Sequence, residues 1–122
     1  MRETIVVGYH GGDSAEGALG LGSAIGWRTG ARLLLTLAYP PEGFTLAEAE
    51  ELLRHALRKL PYGQLAGARA VDAAAPATGL AHTAHDQGAR LVVLGPSATP
   101  TIAAQLAEAV TCPIAVAPCR QS

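Results

Sequence analysis

Aromatic residues are scarce in this sequence: they make up 4% of its 122 residues, with one tryptophan and one phenylalanine. A core cannot then rest on large rings. The 14 glycines and many alanines point instead to small and aliphatic side chains with closely packed backbones. Lysine is scarcer still. Lys59 is the only one, and it lies in a helical stretch, so a phosphate loop of the Gly-Lys-Ser/Thr kind is excluded on residues alone. Charge of one sign is lacking as well. A net charge of −1 offers none of the attraction that draws proteins to nucleic acid, and no nucleic-acid partner is expected.

Cys112 and Cys119 are too few for a disulfide framework. The strand-like chain between them would hold them too far apart to bond. A reducing compartment follows. No apolar run approaches a membrane span, and "MRETIVVGY" passes from charges into a strand-like run with no cleavage site. The expectation is a cytoplasmic protein without a membrane partner. At 49% hydrophobic residues the chain is no disordered segment, and its length suits one domain over 1–122.

Short apolar runs alternate with helical patterns. "TIVVGY" (4–9) is a β-branched run that reads as a buried strand. Asp13 or Ser14 can cap the helix after it. That helix carries Gly17, Gly20, Gly22 and Gly26, each costing up to roughly 1 kcal/mol against alanine. Glycines on its inner face would let it sit close to a sheet, and Gly30 is placed to end it. "RLLLTLAY" (32–39) is a second strand, stopped by Pro40 and Pro41. The helix over 45–60 has the clearest signals. Thr45 and Glu48 form a capping box, acids lead, bases trail, and Glu50–Arg54 is an i,i+4 pair.

A weaker strand follows over 68–75. Pro76 then suits the first turn of a third helix, with Gly88 as its stop. "ARLVVLG" is a fourth strand. Thr99 and Pro100 read as N-cap and first residue of a fourth helix over 101–110, and "CPIAVAP" is a fifth strand. Strands alternating with helices call for a mostly parallel sheet covered on both faces. Ligands bind such sheets beyond the carboxyl ends of the strands, where strand order reverses. Two loops can meet there: "YHGGDS" after the first strand and "GPSATP" after the fourth.

At these residues the chain resembles the universal stress protein family. "TIVVGYHGGDSAEGAL" is similar to the family's opening strand, turn and helix, and "TGARLLLTLAY" to its second strand. "APATGLAHTAHDQGARLVVLG" resembles its third helix and fourth strand, and "AVTCPIAVAP" its closing strand. The resemblance implies a three-layer α/β/α sandwich, with a five-stranded parallel sheet of order 3-2-1-4-5, like the adenine nucleotide alpha hydrolases. It implies a homodimer, often paired through the last strand, here 112–117. It also implies, for one branch, ATP held by a glycine-rich loop after the fourth strand.

This sequence keeps Gly95 as the first glycine of that loop. Thr101 falls near its final hydroxyl position, Pro100 replaces the accompanying glycine, and most of the loop between is absent. His10 stands where the family usually has aspartate. The reading is a non-catalytic domain with a regulatory or protective role in stress, without a cofactor, acting through self-association and an unidentified protein partner. The alternative is a sensor of a nucleotide or small anion. It would use Tyr9, His10, Gly11, Gly95, Ser97, Thr99 and Thr101, with the helix N-terminus as the anion site. A third reading makes Ser97 a hydrolase nucleophile with His10 as base, although the last glycine of a nucleophile elbow is missing.

Other features read as ordinary surface or core. His82 and His85 sit at i,i+3 with Asp86 beside them, a solvated helix face on which no third ligand is evident, so no metal is expected. His55 is likewise solvated. "GLGSAIG" imitates a dinucleotide fingerprint inside a helix, with Ile25 at the third glycine. Tyr9-His10-Gly11-Gly12-Asp13 has one acid, too few for the cation site of a phosphorylation receiver. Cys112 should pack at the start of the last strand. Trp27 is either an anchor at a helix end or a protein contact.

Overall fold

Alternation of strand and helix governs the whole chain. In order come β1 (Thr4–Gly8), α1 (Gly12–Thr29), β2 (Arg32–Tyr39), α2 (Leu46–Leu57), β3 (Ala66–Asp72), α3 (Pro76–Gln87), β4 (Leu91–Leu94), α4 (Pro100–Ala109) and β5 (Ile114–Val116). The computed structural model describes residues 3–9, 12–39, 42, 44–73, 75–95 and 100–117. All strand pairings are parallel, as the alternating pattern called for, and the sheet order is β3-β2-β1-β4-β5, as the family resemblance implied.

The two sheet faces separate by strand parity. Ile5 and Val7 of β1, Leu33 and Leu35 of β2, and Val93 of β4 pack with α1 and α2. Val6, Val92 and Leu94 pack with Leu80, Ala81 and Ala84 of α3 and Leu106 of α4. β1 is buried along its whole length, as a central strand covered on both faces must be.

α1 approaches the sheet through glycine. Gly22 and Gly26 are buried, and a Cβ on either would stand 2.7 Å from Val7 Cγ2 or 2.9 Å from Leu33 Cδ2. Gly20 instead faces outward, with no described residue within 4 Å of such a Cβ. The helix ends at Gly30, whose φ of +74° suits glycine. Gly88 closes α3 in the same way after Pro76 opens it.

Several boundaries differ from the sequence reading, each for a local reason. α1 begins at Gly12, so Asp13 and Ser14 lie inside its first turn rather than capping it. α2 stops at Leu57 with Arg58 as C-cap, because Pro61 disfavours helical backbone just before it. On its surface Arg54 pairs with Glu51, not Glu50. β3 spans Ala66–Asp72 rather than 68–75, since its register follows β2 from Leu33↔Ala66 to Tyr39↔Asp72. α4 begins at Pro100, the residue expected to open it, and ends at Ala109 rather than 110. Thr99, the expected cap, lies outside the described residues.

Candidate functional site at the switch in strand order

β1 is the pivot of the sheet. The chain leaves it toward β2 on one side and returns to β4 on the other, so the crevice beyond β1 and β4 is the switch point. The parallel register Ile5↔Leu91 to Val7↔Val93 brings the ends of these strands together. Tyr9 and Gly95, the residues just past those ends, are therefore neighbours in the fold. Both are buried. α1 and α4 start here as well, directing their N-termini at the crevice, where unpaired amides favour an anion. Pro100 opens α4 and brings no N–H to its first turn. Residues 95–99 make up the whole connection between β4 and α4.

Of the seven candidate residues, the fold thus brings together Tyr9 and Gly95, and Thr101 falls in the first turn of α4. His10, Gly11, Ser97 and Thr99 lie outside the described residues, as does Cys119. The serine and histidine of the hydrolase reading are both among them.

Tyr9 reaches the crevice with its backbone and leaves it with its ring. Its N–H donates to Thr36 O at 2.9 Å, continuing the ladder between β1 and β2. Its ring is buried in the core on the α1–α2 side, with 4% exposure. The hydroxyl donates to Glu16 Oε1 at 3.5 Å, and Glu16 also pairs with Lys59. Burial, and then the Glu16 carboxylate, push the Tyr9 phenol above its usual pKa. The hydrogen bond that Lys59 donates to the Glu16 carboxylate likewise holds its ammonium above the ordinary value.

This Tyr9–Glu16–Lys59 cluster was not foreseen. Its members are scattered along the chain, and nothing in their local spacing marks them as partners. It stands at one end of a groove of about 680 Å³ between α1 and the segment after α2. Trp27, 60% exposed, stands along the same groove. Ser23 donates to Gln64 at 2.8 Å and ties α1 to that segment.

His55, His82 and His85 are exposed. Asp86 is occupied by Arg69 at 3.0 Å, which lowers its pKa. Among the described residues, no three His, Cys, Asp or Glu side chains gather closely enough to hold a metal ion. Cys112 is half-buried just before β5 and packs against the α3–α4 core. Burial raises its thiol pKa, the opposite of what a reactive cysteine needs. No helix among the described residues is long and apolar enough to cross a membrane.

No family model matches the sequence, and no curated protein matches it. Solved structures do. A member of the universal stress protein family from Burkholderia pseudomallei is 25% identical, with a TM-score of 0.77 over 96% of each chain. The universal stress protein from Archaeoglobus fulgidus in complex with dAMP is 19% identical, with a TM-score of 0.78 over 97% of this chain and 98% of its own. A family protein from Arabidopsis thaliana with AMP bound is 12% identical, with a TM-score of 0.70 over 94% of this chain and 90% of its own. The resemblance read in short segments is thus carried by nearly the full course of the backbone, and this chain has the fold of the universal stress proteins.

Proposed function

We propose that this chain is a non-catalytic universal stress protein-like domain of the cytoplasm, regulatory or protective in stress, whose ATP-binding loop has been cut away. The observation that carries this reading is the shortness of the β4–α4 connection, five residues at 95–99. A triphosphate needs a run of amides to wrap it. Here Gly95 is followed within a few residues by Pro100, which has no amide to give. The Tyr9 ring, committed to the core, adds nothing on the other side.

The domain then acts through protein contacts. One is a homodimer across the edge strand β5, where Val116 is 48% exposed and backbone groups face outward. Sedimentation showing a monomer at high concentration would remove that dimer. Another contact is with a protein partner of unidentified kind.

A second reading keeps the crevice as a sensor of a nucleotide or small anion. It is favoured by the two helix N-termini that start at the switch point, and by the dAMP and AMP bound to two proteins of the same fold. Thermal unfolding with added ATP separates the two. A bound ligand raises apparent stability with concentration and then saturates by mass action. The truncated-loop reading expects no such shift and no nucleotide copurifying with the protein. A saturating shift, abolished by His10→Ala, establishes the sensor instead. Labelling of Ser97 by a fluorophosphonate would revive the hydrolase, and its failure ends that reading.

A further inference from the structure

The outer face of α1 is built to meet its own image. Trp27 is the only tryptophan and stands 60% exposed at the C-terminal end of the helix. Beside it runs the groove of about 680 Å³, floored by Gly20 and Ser23 and walled by Lys59, Leu60 and Pro61. A bulky apolar side chain next to an apolar groove, on one face, is the arrangement that a two-fold axis turns into two identical contacts.

We propose that this face is a self-association surface, on which α1 of a second copy packs antiparallel across a two-fold axis near Gly22. An antiparallel helix pair centred at residue 22 sets residue i level with residue 44 − i of the other copy. Gly20 then lies level with Ala24, two small exposed residues that let the helices approach closely. Trp27 lies level with Gly17, so the indole enters the partner's groove beside Gly20, Glu16 and the Lys59 stem. Arg28 lies level with Glu16, a complementary charge at each end of the contact. Glu16 holds Lys59 with Oε1, which leaves Oε2 for the incoming guanidinium. Size and charge therefore agree in one register.

The open glycine has a cost that this contact explains. Gly20 in mid-helix gives up helix stability relative to alanine, yet among the described residues nothing fills the space above it. Gly22 and Gly26, by contrast, are required by the sheet beneath them. This surface is separate from the β5 edge, so the two contacts can be broken independently.

The single tryptophan reports on the contact directly. Sedimentation and tryptophan emission are to be followed together over a concentration series of the full chain. The expected result is a mass that doubles as the emission shifts to the blue, because Trp27 leaves water. Gly20→Gln adds bulk with a good helix former where no atom obstructs it, so the variant folds. It should weaken association by about tenfold or more, as should Arg28→Glu. Val116→Arg at the β5 edge should leave the emission shift intact. A monomer at every concentration overturns the proposal. So does a dimer that keeps the emission of exposed tryptophan, or one that Gly20→Gln leaves unweakened.

Discussion

α1 and α2 lie on one face of the sheet and share one core, so each serves as a control for the other. α2 announces itself locally. Thr45 Oγ1 accepts from the Glu48 N–H at 3.1 Å, and Glu48 Oε1 accepts from the Thr45 N–H at 3.1 Å. Arg54 and Glu51 pair on its outer surface. α1 has five glycines in 18 residues, a composition that should not hold a helix in water. It forms because Gly22 and Gly26 allow a closer seat on Val7 and Leu33 than any other residue would. One helix is specified by its own sequence, the other by the surface it rests on.

The severest way to break that contrast is to remove the seat. Leu33 is fully buried in β2 and lies against the space left by Gly26. Leu33→Ala should cost about 2–5 kcal/mol in denaturant unfolding, the range for a buried leucine. If the contrast holds, amide exchange should rise further in α1 than in α2. Equal loss in both helices would show that α1 has local stability of its own.

The next test puts one substitution at two sites in α1. Gly22→Ala forces a methyl to within 2.7 Å of a β-branched valine. Overpacking of that kind costs about 1–3 kcal/mol, against a gain of up to about 1 from helix propensity. A net loss of about 1 kcal/mol is expected. Gly20→Ala meets no described residue and should gain up to about 1 kcal/mol, measured at concentrations where the chain is monomeric. The same sign at both positions would sink the argument. In α2, Thr45→Ala should cost about 1 kcal/mol through the lost cap, and the loss should appear as fraying of the first turn.

How legible each feature was follows from where its cause lies. The order of elements, the strand order implied by the family resemblance, the capping box and the two glycine stops depend on local chemistry or on the pattern of the whole chain. All are present in the structure. The ends of β3 moved because β2 sets its register, and no residue within 66–72 carries that information. The start of α1 moved because its first turn forms at Gly12, before the residues best suited to capping. At the candidate site, the strand pattern places Tyr9 beside Gly95. Nothing in the sequence told that the Tyr9 ring would turn into the core toward Glu16 and Lys59. That direction is set by which face of β1 position 9 occupies and by which helices cover that face.

Tyr9 also supplies the mildest test, because it joins the two helices: Glu16 comes from α1, and Lys59 follows α2. Its phenol is raised above the ordinary value of about 10, first by burial and then by Glu16. A group whose folded pKa lies above its unfolded one binds the proton more tightly in the native state. Its contribution to stability is complete below about pH 10 and is lost as pH rises through the folded value. Tyr9→Phe removes the proton but keeps the ring in the core. At neutral pH it should change stability little, since the hydroxyl contact with Glu16, at 3.5 Å, is long for a hydrogen bond. Above pH 10 the variant should unfold less steeply with pH than the parent chain. Parallel alkaline limbs would mean that Tyr9 ionises as freely in the fold as out of it. The cluster would then not join α1 and α2 as the buried ring implies.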